Sequence, residues 1–125
     1  MICATIFVDS EQCYQGIDLS GHAGDADDYQ EGQELVCAAV SALVLNMANC
    51  VEQFTDDIFE AKEEEEGGGF MFRFLSEISS ESKLLMNSLV FGLQNIEEDY
   101  GEPYIKIRFK EVERYVSDEP SVIRS

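Results

Sequence analysis

The chain predicts an α+β fold, a mostly antiparallel sheet with two helices packed against it, in the order ββαββαβ. Short segments alternate apolar and polar residues with the two-residue period of a strand. Two longer segments repeat apolar residues every three or four positions, as helices do. Turn-forming clusters separate the strands at hairpin distances. The 125 residues, 45% hydrophobic and 10% aromatic, are enough for one domain with its own core.

Taken in order, Ile2-Cys3-Ala4-Thr5-Ile6-Phe7-Val8 places Ile2, Ala4, Ile6 and Val8 on one strand face. Asp9-Ser10-Glu11-Gln12 is a turn signal, and Cys13 to Leu19 is the returning strand. Ala23 to Gln33 holds Asp25, Asp27, Asp28 and Glu31 with two glycines and no base, which is loop chemistry. From Glu34 to about Phe54, Val36, Val40, Leu43, Met47 and Val51 mark a helix, and Leu35, Ala39, Val44, Leu45 and Ala48 widen its stripe. So little polar face remains that the helix is expected to be buried centrally or shared with another subunit.

Thr55–Glu64 and Phe70–Glu77 flank Gly67-Gly68-Gly69 and predict a hairpin, with Glu63–Glu66 as a solvated tip. Ser79-Ser80 cap a second helix over Glu81–Tyr100, striped by Leu85, Leu89, Leu93 and Ile96 and stopped by Gly101. After Pro103, Tyr104 to Lys110 alternates as a last strand. Residues 1–110 thus form the single domain, and 111–125, polar and with Pro120, read as a tail.

The formal charge is −18, from 26 acidic and 8 basic residues, which argues against direct nucleic-acid binding; it reads either as a soluble acidic surface or as a match for a basic peptide or protein partner. Cys3, Cys13, Cys37 and Cys50 form no CxxC pair, and Met1-Ile2-Cys3-Ala4 lacks the pattern of a secretory signal. No uninterrupted apolar run reaches the length of a membrane span. The expected setting is cytoplasmic, with reduced thiols and no membrane contact.

The candidate chemistry lies between Ser20 and Leu43. His22, the single histidine, stands in Gly21-His22-Ala23-Gly24. Cys37 stands where the acidic loop becomes helix, in Glu34-Leu35-Val36-Cys37-Ala38-Ala39-Val40-Ser41-Ala42-Leu43. A first-turn thiol would meet the free N–H groups and positive end of the helix macrodipole, and a nearby imidazole would complete a nucleophile–base pair. On residues alone, Cys37 reads equally as a small buried hydrophobe and His22 as a hydrogen-bonded loop residue.

The glycine-flanked histidine and the Val-Cys-Ala-Ala-Val-Ser-Ala-Leu segment resemble the ribosomal-processing cysteine protease (Prp) family, from Met1 to about Lys110. The resemblance implies a cytoplasmic, dimeric cysteine endopeptidase without metal or organic cofactor. It would remove a short N-terminal extension from a large-subunit ribosomal protein, the twenty-seventh. It also implies Cys37 as nucleophile and His22 as proton acceptor and donor.

Gly21 and Ser41 match the motif as supporting residues, with Ser41 four positions after Cys37 on the same helix face. Glu34 stands where the family pattern has aspartate; it could orient the imidazole or simply complement the macrodipole. The Cys37 N–H is the expected oxyanion donor. The 23–33 loop, a flap in the family, is here longer and richer in acid. The reading from a different class is a non-enzymatic acidic module that holds a basic ribosomal tail, which would need neither Cys37 nor His22.

Overall fold

The protein is described from a computed structural model covering residues 1–21, 32–64 and 69–113. Its elements are β1 (Ile2–Val8), β2 (Tyr14–Ser20), α1 (Gln33–Phe54), β3 (Phe59–Glu63), β4 (Phe70–Phe74), α2 (Ser80–Tyr100) and β5 (Ile105–Glu111). The predicted ββαββαβ order and α+β class both hold.

The five strands form one sheet in the order β3-β4-β2-β1-β5. Three pairings are antiparallel, and β5 runs parallel to β1 with Ile105 opposite Ile2 and Ile107 opposite Ala4. The registers align one apolar face across the sheet: Ile107, Ala4 and Leu19 stand beside Phe70, and Ile6 beside Ile17 and Phe72. Both helices lie on this face, where Ile6, Ile17, Phe72 and Phe74 are fully buried. Phe72 stacks on Phe59 at 4.8 Å and meets Phe74 edge-on at 5.1 Å. Burying each such ring contributes roughly 1.5–3 kcal/mol.

The β1–β2 turn is organised by a buried carboxylate. Asp9 accepts from the N–H groups of Glu11 and Cys13, both at 2.9 Å, and from the Gln15 side-chain amide at 3.1 Å. These bonds offset the cost of burying the charge and hold Gln12 at a φ of 68°.

Helix α1 buries Val36, Val40, Val44, Met47 and Val51 against the sheet but leaves Leu35 and Leu45 exposed, Leu35 at 66%. It is therefore not enclosed on all sides, because one sheet and one neighbouring helix cannot surround it. Its length and mean hydropathy of 1.7 would also satisfy a membrane span, a test that a core helix of this composition passes as well.

Helix α2 starts as predicted, with Ser79 accepting from the Ser82 N–H at 3.2 Å, and stops at Gly101, whose φ is +59°. Its buried stripe is Met86, Leu89, Val90 and Leu93, while the expected Leu85 and Ile96 are only half-buried. The helix is rotated slightly toward its methionine by its contact with α1 and the sheet.

Both strands of the second hairpin are shorter than predicted. Thr55 caps α1 through its N–H to the Val51 carbonyl, and Asp57 turns to α2, so residues 55–58 are spent on helix ends. At the C-terminal end, Glu111 belongs to β5 and the Val112 N–H donates to the Val8 carbonyl at 2.9 Å. The expected tail beyond residue 113 lies outside the described residues.

Candidate active site

The helix that carries Cys37 begins at a fixed point. Gly32 has a φ of +89°, and its carbonyl accepts from Leu35 and Val36 at 3.1 and 3.2 Å. The next residue, Gln33, is 1% exposed and donates its side-chain amide to the Tyr104 carbonyl at 3.1 Å. That carbonyl also accepts from the Ile2 N–H at 2.8 Å, so the start of α1, the start of β1 and the entry to β5 meet at one atom.

Cys37 is the fifth residue of α1, not part of its first turn. By α-helical pairing its N–H bonds to the Gln33 carbonyl. The N–H foreseen as an oxyanion donor is thus spent within the helix, and the macrodipole acts on Cys37 less than a first-turn position would allow.

Cys37 is half-buried and shares a groove of about 120 Å³ with Ser41, one helical turn on. Leu19 on β2, Phe70 on β4 and Val44 and Leu45 on α1 make its apolar walls, and Glu63 and Glu64 stand at its β3 side. Glu63 pairs in register with Phe70, which turns its side chain to the helix-bearing face of the sheet. An accessible thiol, an apolar wall sized for a side chain and a carboxylate rim suit covalent attack on an extended polypeptide with apolar and basic residues.

The other motif residues divide. Gly21 follows β2 directly, with a φ of +81°, and a Cβ there would strike the Met1 carbonyl oxygen. Only glycine allows the chain to leave β2 so close to Met1. Glu34 is exposed, and among the described residues it forms no hydrogen bond or ion pair and does not line the groove. His22 and residues 23–31 of the expected flap lie outside the described residues. The four cysteines are free of disulfides.

Glu63 and Glu64 were expected in a solvated tip, and they are exposed; their place beside Cys37 comes from the β3–β4 register. Alternation from Phe59 through Ala61 already placed Glu63 on the inner face, a signal that the acidic run masked. Gln33 had no such signal, because nothing local marks a buried glutamine.

Comparison with known proteins identifies the family and the fold. A family model described as "Cysteine protease Prp" matches residues 1–106. The Ribosomal processing cysteine protease Prp of Bacillus subtilis is 34% identical over 106 residues, 80% of this chain and 90% of the relative. Two crystal structures of an essential ribosomal processing protease Prp from S. aureus superpose on this fold. The one in complex with a substrate peptide has a TM-score of 0.80 at 27% identity. The one with a covalently linked product peptide has 0.77 at 28%. Each covers 88% of this chain and 100% of the S. aureus chain.

Proposed function

The chain belongs to the Prp cysteine protease family and is a peptide-bond hydrolase, and from that premise we propose that it removes a short N-terminal extension from a large-subunit ribosomal protein, the twenty-seventh, in the cytoplasm. The observation that carries the assignment of its nucleophile is the half-buried Cys37 thiol opening into the groove walled by Leu19, Phe70 and Leu45.

In this reading the Cys37 thiolate attacks the scissile carbonyl, the substrate amine leaves, and water hydrolyses the acyl-enzyme to regenerate the thiol. His22 takes the thiol proton and later gives it to the leaving amine. It follows Gly21 directly and is three residues in sequence from Leu19, a groove wall. Apolar substrate residues lie on Phe70 and Leu19, and Glu63 and Glu64 face a basic segment beside them. Ser41 supplies a hydroxyl on the Cys37 face of α1.

A homodimer completes the proposal. The outer surface of the helix layer carries Leu35, Leu84 and Phe91 at 66%, 69% and 66% exposure, side chains that a second copy would cover.

Mass spectrometry of the precursor ribosomal protein after incubation with the wild type and with Cys37→Ala tests the reaction. Cleavage at one bond by the wild type alone is expected. An intact precursor that both forms bind would instead mean that this chain holds its partner without cutting it.

A further inference from the structure

We propose that the face of the sheet opposite the helices is a binding surface for single-stranded nucleic acid. The strand registers put five of the chain's eight basic residues on this one face: Lys62, Arg73, Lys106, Arg108 and Lys110. The same alternation that sends Ile105, Ile107 and Ile2 to the core sends Lys106, Arg108 and Lys110 outward, opposite Cys3, Thr5 and Phe7. Only two acidic residues, Asp18 and Glu60, share the outward strand positions, although the chain holds 26 acids. Net charge is a sum over the whole surface. Here the register gathers cations on one face, with Glu102 and Glu113 at its β5 side.

Two of the five cations are engaged: Arg73 lies 3.9 Å from Glu60, and Lys106 lies 3.5 Å from Glu102. Among the described residues Lys62, Arg108 and Lys110 form no ion pair. Alternate residues of a strand lie roughly 6.6 Å apart, so Arg108 and Lys110 are spaced for successive phosphates of an extended strand. The acids of the helix layer lie beyond the sheet, and at physiological salt the Debye length is about 8 Å.

The middle of the face favours a nucleic acid over an acidic polypeptide. Phe7, half-buried on β1, stands between Lys110 on β5 and Gly16 on β2, with Arg73 next across β4. Gly16 has no side chain, and a concavity of about 240 Å³ opens there between Phe7, Met71 and Arg73, with Gln15 and the Glu113 carboxylate also in its wall. A planar base stacks on Phe7 in that space while its neighbouring phosphates meet Lys110 and Arg108. Carboxylates of a peptide would use the cations but not the ring. This surface is on the other side of the sheet from Cys37 and does not depend on the protease assignment.

Fluorescence anisotropy of a labelled short uridine oligoribonucleotide with the full chain tests the proposal, with the thymidine oligodeoxyribonucleotide as a second probe. With three phosphates neutralised, affinity is expected to fall about 20-fold from about 50 to 200 mM salt. Lys110→Glu and Arg108→Glu should each weaken binding about tenfold, whereas Lys83→Glu, the same charge change on α2, should stay within about twofold. Phe7→Ala should cost about tenfold, checked by its melting curve. If that variant does not fold, the charge variants decide.

Equal affinity for the two probes would assign recognition to phosphate and base, and tighter RNA binding would add the 2′-hydroxyl; both support the proposal. No binding at low salt overturns it, as does equal damage from Lys83→Glu and Lys110→Glu. Displacement of the RNA by oligoglutamate, with the same response to the variants, would assign the face to an acidic polypeptide and overturn it too.

Discussion

The side-chain amide of Gln33 donates to the main-chain carbonyl of Tyr104 at 3.1 Å, across 71 residues of sequence. The residue that opens the Cys37 helix is thereby fastened to the strand at the far edge of the sheet. Four positions later, Cys37 enters its groove at a depth set by that anchor.

Gln33→Ala should therefore lower stability by about 1–2 kcal/mol, from a lost buried hydrogen bond and a small void. The melting temperature is expected to drop by several degrees in a thermal scan, with proteolysis reduced at temperatures where the variant is still folded. Unchanged melting would mean that the Tyr104 carbonyl is served by Ile2 alone.

At Gly21, alanine would be strained twice, by the positive φ and by its collision with the Met1 carbonyl. A cost of about 1–3 kcal/mol is expected in urea unfolding. Cleavage should fall by more than the loss of folded protein explains, because residue 22 follows directly.

The Asp57 carboxylate accepts from the Ser79 hydroxyl at 2.7 Å and from the Ser79 N–H at 3.0 Å, joining the end of α1 to the cap of α2. Burial opposes its ionisation, but the nearby Ser82 hydroxyl and the hydrogen bonds from the Ser79 hydroxyl and N–H outweigh it and hold the carboxyl below its usual value. A lowered folded value means a contribution fully present above the unfolded value of about 3.9 and lost as pH falls through the folded one. Asp57→Asn should cost about 1 kcal/mol at pH 7. Denaturant titrations at descending pH should find the gap to wild type closing below about pH 4.

Reversing the groove rim with Glu63→Lys and Glu64→Lys should raise KM for a basic substrate peptide several-fold, since exposed pairs contribute roughly 0.2–1 kcal/mol each. The effect should shrink with added salt. A kcat loss at constant KM would place these carboxylates in the chemistry instead of in substrate capture.

Much of the fold was legible because its signals are local. β1 occupies the predicted Ile2–Val8, and the α1 and α2 bounds differ from prediction by one residue at the N-terminal side. Residues 55–58 misled because Thr55 and Ile58 favour strands, whereas Thr55 and Asp57 here serve helix ends. The stripe of α2 misled because Leu85 and Met86 are both apolar neighbours, and the packing partner chooses which turns inward.

Sequence alone determined the order of the elements, the glycine-flanked histidine and cysteine segments that carry the family resemblance, and the strongly acidic charge. Periods of two and three to four residues, caps and turn residues act within a few positions of the chain, so they can be read along it. Tertiary structure alone decided that β5 lies parallel to β1, that Glu63 and Phe70 stand beside Cys37, and that the basic residues gather on the open face. Those relationships come from strand register and from which apolar faces meet. Both are settled by packing between residues distant in sequence, where local preference carries no instruction.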